Sequence, residues 1–252
     1  MITIVTPSYN RAYILPRLYE SLLKQQEMFE WVLIDDGSTD ATEIFAQSVI
    51  DDGKILFQYI KQVNQGKHIA LNTGVNYAKG EWVFIVDSDD FLVDSALTQL
   101  IQDINKYGDQ YELCYRKKLI EGKVVGNTLD NDTLVLSATE ACKVFNGDLA
   151  YVFKTKTMKK FPFPQISHEK FVPELYIWNK ISDQYKILFF AQKTIYVCEY
   201  LEDGYSQRFK EHLKKNPMGF LLFYRNQISR EKNIVCKIKY LVRCVQCVWY
   251  MK

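Results

Sequence analysis

Long hydrophobic runs are missing from this chain. No uninterrupted apolar stretch among its 252 residues approaches the roughly 20 residues that a bilayer-spanning helix needs. A secretory signal is not expected either. The chain enters at once on a strand-like run, Met1-Ile2-Thr3-Ile4-Val5, with no charged segment ahead of an apolar one. A cytoplasmic protein follows, reaching at most the inner face of a membrane. Metal-binding sulfur is also sparse. The six cysteines are Cys114, Cys142, Cys198, Cys236, Cys244 and Cys247. Without a signal they read as reduced thiols. The one close pair, Cys244-x-x-Cys247, has no second pair or histidine cluster to complete a zinc site. Low-complexity stretches, linkers and internal repeats are absent, and no recognition motif for nucleic acid accompanies the basic residues.

What the chain does have is a core-forming composition, 48% apolar, and an uneven spread of a small net charge of +2. Residues 210–252 carry ten Lys or Arg against two acidic residues, so the rest of the chain is acidic. In the first 120 residues apolar strand candidates at 2–6, 31–35, 55–60, 82–86 and 111–116 alternate with helical patterns near 12–25, 40–50, 67–78 and 94–106. That alternation predicts an α/β fold with a mostly parallel sheet flanked by helices. Asp40, with Glu43 three residues on, and Asp94 are the expected helix caps. Farther on, Ser137-Ala138-Thr139-Glu140 reads as a capping box opening a short helix to about Phe145. Phe161-Pro162-Phe163-Pro164 reads as an extended loop. A helix is expected over 172–181, strands near 186–190 and 194–198, and helices beyond Gln207 with a break at Asn216-Pro217.

Ligands of such sheets bind beyond the carboxyl ends of the strands, so the loops after strands carry the functional signal. Asp87-Ser88-Asp89-Asp90 follows the apolar run Trp82-Val83-Phe84-Ile85-Val86. Like charges packed at a sheet rim repel one another unless a cation joins them. In an extended segment Asp87 and Asp89 project to one face and suit a hard, oxygen-ligated Mg2+ or Mn2+ that holds a diphosphate. Asp35-Asp36-Gly37-Ser38 after the second strand offers a carboxylate for a base N–H or a ribose hydroxyl. Pro7 and Tyr9 after the first offer an apolar wall to a planar base, with Asn10 or Arg11 beside it. A nucleotidyltransferase would instead want a Gly-rich basic loop here, which Thr6-Pro7-Ser8-Tyr9-Asn10 is not.

These segments, with Asn64-Gln65-Gly66-Lys67 through Asn72-Thr73-Gly74 and Ala78-Lys79-Gly80-Glu81, resemble glycosyltransferase family 2, inverting enzymes of the GT-A (Rossmann-like) fold that use nucleotide-diphosphate sugars. The likeness is strong over residues 1 to about 105 and looser over 106–206. It implies a GT-A domain at 1–206, with a nucleotide-sugar half (1–105) and an acceptor half (106–206), followed by a basic helical extension at 207–252. It implies a sugar nucleotide, UDP being the expected base carrier, and a divalent metal, Mn2+ or Mg2+. The acceptor is expected to be a glycan or lipid-linked glycan of a bacterial surface polysaccharide or glycoconjugate. By the same resemblance Pro7, Tyr9 and Arg11 line the nucleotide pocket, and Asp35 reads the base with Asp36 near it. Lys67 and Asn72 border the nucleotide-sugar, and Asp87, Ser88 and Asp89 serve the diphosphate and metal. His68 is read as a packing residue.

The catalytic base of the family is an acidic residue opening a helix in the second half. Pro173-Glu174-Leu175-Tyr176-Ile177-Trp178 fits best, with Pro173 suited to a first helical turn and Glu174 at its positive end. Glu169 is the alternative. Glu202-Asp203-Gly204-Tyr205-Ser206 resembles the segment that closes over donor and acceptor. In residues 234–249, Ile234, Ile238, Leu241, Val245, Val248 and Trp249 share one helical face among Lys237, Lys239 and Arg243. That face suits an anionic membrane surface, its own domain or a second subunit in a homodimer. A non-catalytic nucleotide-sugar-binding subunit that assists a partner transferase is the competing reading of the whole chain.

Overall fold

In the computed structural model, which describes residues 1–201 and 208–251, strand and helix alternate from the first residues. The parallel strands β1 (Ile2–Ser8), β2 (Phe29–Asp35), β3 (Leu56–Lys61) and β4 (Trp82–Ile85) are linked by α1 (Leu15–Leu23), α2 (Thr42–Asp52) and α3 (Lys67–Tyr77). Every residue of β1, β2 and β4 is buried. A strand covered on both faces demands this, and it is why these segments read as near-continuous apolar runs.

The chain continues through β5 (Phe91–Leu92), α4 (Ala96–Tyr107), β6 (Glu112–Leu119), β7 (Thr133–Leu136), α5 (Ala138–Phe145), β8 (Leu149–Lys154), α6 (Thr155–Lys160), α7 (Leu175–Ser182) and β9 (Ile187–Cys198). The strands order as β3-β2-β1-β4-β8-β6-β9-β5, with β7 also on β9. The result is an α/β architecture whose central sheet, mostly parallel, takes an antiparallel β8 between β4 and β6. Alternate residues of one strand feed two cores. Ile2 and Ile4 of β1 pack with Leu15 and Leu18 of α1 and Leu97 and Leu100 of α4. Val5 of the same strand packs with Leu71 of α3, Phe145 of α5 and Trp178 of α7.

Two caps differ from expectation. Asp40 accepts from the Thr42 backbone N–H at 3.0 Å and, through its other oxygen, from Ala12 N–H at 2.9 Å. It thus ties the first loop to α2, while Glu43 turns away to pair with Lys61 at 2.7 Å. Asp94 does not cap α4, whose flanking residue is Ser95. It lies 3.7 Å from Lys24 instead. The capping box of Ser137 and Glu140 forms as read. Two strands read separately near 186–190 and 194–198 form one long β9, which pairs with β6 at 187–189 and again at 194–198 across a shift of register. β7, β8 and α6 add to the elements read from the sequence; of these β8 does carry a continuous apolar run, Leu149-Ala150-Tyr151-Val152-Phe153.

The last segment folds as α8 (Phe209–Lys215), α9 (Pro217–Arg230) and α10 (Ile234–Tyr250). Pro217 takes the first turn of α9, where its missing N–H costs nothing. This segment joins the sheet domain through polar bonds as well as packing. Thr139 Oγ1 donates within reach of both Asn179 Oδ1 (2.9 Å) and Gln227 Oε1 (3.1 Å), and Lys143 pairs with the buried Glu231 at 2.7 Å. Among the described residues, no helix is long and apolar enough to cross a membrane.

Candidate functional site

β1 has β2 on one side and β4 on the other, so the chain reverses direction across the sheet there. The crevice beyond the carboxyl ends of β1 and β4 is the expected ligand position in an open α/β sheet. A cavity of about 1100 Å3 opens there, lined by all three loops singled out in the sequence. The first two loops are sewn together. The Asn10 N–H donates to Ser38 Oγ (2.9 Å), and the Thr39 N–H donates back to Asn10 Oδ1 (2.8 Å). Asn10 takes a left-handed φ of 54° to do so. Pro7, Tyr9 and Arg11 all reach the cavity, with Tyr9 half exposed on its wall. The Arg11 guanidinium donates to Tyr13 Oη at 2.9 Å.

Asp35 and Asp36 part company. The Asp35 carboxylate is wholly buried behind the wall, one oxygen accepting from Ser38 N–H (2.7 Å) and the other from Tyr59 O–H (2.6 Å). Asp36 reaches the cavity lining. Its oxygens accept from Gln62 Nε2 (2.7 Å), Gln65 N–H (2.9 Å) and Gly66 N–H (2.7 Å). Asp36 therefore fixes the loop that delivers Lys67 to the start of α3. Gly66 has a φ of 93°, and a Cβ there would lie 1.8 Å from the Lys170 carbonyl oxygen. Only glycine fits that approach.

Lys67 is the centre of the site. Its Nζ lies 2.7 Å from Asp87 Oδ1 and 2.8 Å from Glu174 Oε1. Burial opposes its charge, but the two carboxylates overbalance that and hold the ammonium well above the ordinary lysine value. Asp87 shows the complementary balance. Burial pushes its carboxyl up, while Lys67 and Lys117 bring it below the usual range. Asp89 has no such relief. Burial and the Asp87 charge raise it, with Lys67 and Arg11 offsetting only part. Asp90 is pushed up to about 6, chiefly by burial, against the pull of Lys117. Its carboxylate accepts from Glu199 N–H at 3.1 Å and lies 3.4 Å from Lys117, so it braces the loop from behind. Ser88 is buried at the cavity edge.

The remaining sequence candidates separate cleanly. Glu174 sits just ahead of α7 in the cavity, whereas Glu169 points away from it. Both Glu169 oxygens cap the start of α9, accepting from Met218 N–H (2.7 Å) and Gly219 N–H (2.8 Å). Asn72 is also turned from the cavity. It exchanges two hydrogen bonds, each 2.9 Å, with the backbone of Phe163 and so clamps the 161–164 loop to α3. His68 is buried beside Phe163, as a packing residue would be, and burial lowers it to about 4. The expected closing segment at 202–206 lies outside the described residues.

Lys117 is a cavity residue that motif reading missed. It enters from β6, its Nζ 4.1 Å from the centre of the Tyr196 ring and 3.9 Å from Asp87 Oδ2. Tyr196 in turn accepts the Asp87 backbone N–H at 2.9 Å. Tyr151 and Trp178, stacked with centroids 5.4 Å apart, form an aromatic floor beside Glu174. Nothing in the run Tyr115-Arg116-Lys117-Lys118 marks one lysine as inward-facing. The signal is the strand register, which a single sequence does not supply.

Comparison with known proteins places this geometry. A model of glycosyl transferase family 2 matches residues 3–157, more than half of the chain. The chain is 26% identical over 203 residues to the GalNAc(5)-diNAcBac-PP-undecaprenol beta-1,3-glucosyltransferase of Campylobacter jejuni, covering 78% of this chain and 62% of that protein. It thus spans less than two thirds of that relative's length. Its fold superposes on S. aureus TarS 1–349 in complex with UDP-GlcNAc with a TM-score of 0.70, at 18% identity, covering 98% of this chain and 71% of that one. It also superposes on a mannosyltransferase of Pyrobaculum calidifontis bound to GDP-Man and Mn2+, with a TM-score of 0.64 at 16% identity, over 99% and 73% of the two chains. The switch-point cavity, the GT-A architecture and the family match agree: the chain belongs to glycosyltransferase family 2.

Proposed function

We propose that this chain moves a sugar from a nucleoside-diphosphate donor, UDP being the nucleotide, to a hydroxyl of a glycan or lipid-linked glycan, with inversion at the anomeric carbon. The observation that carries this reading is the Lys67 ammonium held between Asp87 and Glu174. One cation links the acidic loop after β4 to the acid at the head of α7, so donor and acceptor chemistry meet within one cavity. The UDP-GlcNAc in the TarS structure supports the donor class, and the undecaprenol-linked substrate named for the Campylobacter enzyme supports the acceptor class.

In this reading Pro7, Tyr9 and Arg11 border the nucleoside, while Lys67 and Ser88 border the diphosphate. Asp36 acts on the donor through the loop it holds. Asp35 and Asn72 contribute by fixing the walls rather than by touching the sugar nucleotide. Glu174 takes the proton of the acceptor hydroxyl as its oxygen attacks the anomeric carbon opposite the departing diphosphate. A divalent metal fits the site. Asp87 and Asp89 are hard oxygen donors, and the raised Asp89 carboxyl marks a charge that lacks a sufficient counter-ion. Among the described residues no three His, Cys, Asp or Glu converge as a ready-made metal cluster. These two carboxylates would therefore share the ion with diphosphate and water oxygens. When bound, the ion would supply positive charge to the leaving diphosphate.

The test is nucleoside-diphosphate release from a panel of sugar nucleotides with Mn2+ or Mg2+. Glu174→Gln is expected to cut turnover by about 100- to 10,000-fold while donor still binds. Glu169→Gln is expected to keep turnover per folded molecule. Donor binding by wild type without turnover on any acceptor would favour the non-catalytic subunit instead.

A further inference from the structure

α10 has two faces with opposite demands. Cys247 is buried, and Tyr240 and Cys244 pack beside it against Phe220 and Tyr224 of α9. These three residues lie within one narrow sector of the helix. The opposite sector is apolar and uncovered. At 100° per residue Ile234, Val235, Ile238, Leu241, Val242, Val245, Val248 and Trp249 fall within an arc of about 140°. Each is between 48% and 71% exposed. A helix that already has a packed face has no folding reason to carry a second apolar one.

The charges identify the occupant. Lys237 flanks one side of the arc, Lys239 the other, and Arg243 lies behind; α10 contains no acidic residue. Two copies paired through this face would bring their lysines together with no carboxylate on the helix to meet them. One helix of 17 residues is also only about 25 Å long, so its exposed face falls short of the roughly 800 Å2 per partner of a stable protein interface. An apolar stripe bordered by lysines, with Trp249 and Tyr250 at one end, instead matches an anionic bilayer surface, where the stripe enters the acyl boundary and the ammonium groups meet phosphates.

We infer that α10 is a peripheral anchor that lies in the plane of an anionic phospholipid surface. α8, which packs on α10, lines the cavity through His212 and Lys215, with Arg208 just ahead of it. Docking through α10 therefore ties the membrane to the helical segment that also lines the cavity. The inference goes beyond the transferase reading and does not depend on it, since lipid binding requires no donor.

The full chain is to be sedimented with phosphatidylcholine vesicles made with and without phosphatidylglycerol. Wild type is expected to pellet with the anionic vesicles and to be released by salt. Lys237→Glu/Lys239→Glu is expected to weaken binding by about tenfold or more. Val245→Glu, at a site 71% exposed, is expected to abolish it with an unchanged melting temperature. As an independent readout in unaltered protein, Trp249 emission shifts to the blue on vesicle addition, the other three tryptophans being buried already. Wild type that stays in the supernatant with anionic vesicles overturns the inference, as does Val245→Glu binding like wild type. A dimer in solution that Val245→Glu dissociates would assign the face to a second copy instead.

Discussion

Two glutamates five residues apart do different work, and the difference lies in what each carboxylate touches. Glu174 faces Lys67 in the cavity; Glu169 caps α9. Removing the cap, as Glu169→Ala, should cost about 1–2 kcal/mol, read as a lower denaturation midpoint. His68 gives a pH test. Burial lowers it to about 4 from the ordinary 6.5, so between those values the unfolded chain binds a proton that the folded one refuses. Stability should therefore fall as the pH drops from 6.5 to 4. Asp90, raised to about 6, acts in the opposite sense, because its carboxyl takes up a proton in the folded state first. Only a variant isolates either group. His68→Gln should flatten the acid loss by up to about 3 kcal/mol, and an unchanged pH profile of the melting temperature would refute this assignment.

At the level of elements, the site depends on how loops are held rather than on loop composition. Asp36 and Gly66 together set the entry to α3 and thereby the position of Lys67. Gly66→Ala forces a Cβ against the Lys170 carbonyl, so it should destabilise by about 3 kcal/mol or more and weaken donor affinity alongside. Thermal melts and donor titrations check both effects. β1, β2 and β4 and their loops were legible in the sequence because buried parallel strands read as continuous apolar runs and their loops carry acids, prolines and glycines in order. Asn72 and Asp35 sit off the cavity lining for a physical reason: short polar side chains in a motif bond to backbone and tyrosine groups as readily as to a ligand. β7 was hidden because its burial alternates between half-buried and exposed, whereas the buried run at 150–153 of β8 did carry an apolar signal; Lys117 was hidden because its direction follows from a register set by strands far away in sequence.

At the scale of the whole molecule, a sheet with two cores brings the loops after β1, β2 and β4 and the head of α7 to one cavity, which α8 also lines. The acidic cluster after β4 is the costly part of this arrangement, since Asp89 and Asp90 are both held above their ordinary values. A ligand that supplies cations to this cluster should therefore stabilise the fold through linkage. The most direct measurement is the melting temperature of wild type and Asp89→Ala with UDP, with and without Mn2+. With ligand at about 100 times its dissociation constant, wild type should gain about 2.7 kcal/mol, a rise of several degrees, only when UDP and Mn2+ are both present. Asp89→Ala should lose most of that rise. No metal-dependent rise with UDP or any other nucleoside diphosphate, or an equal rise in Asp89→Ala, would contradict the account.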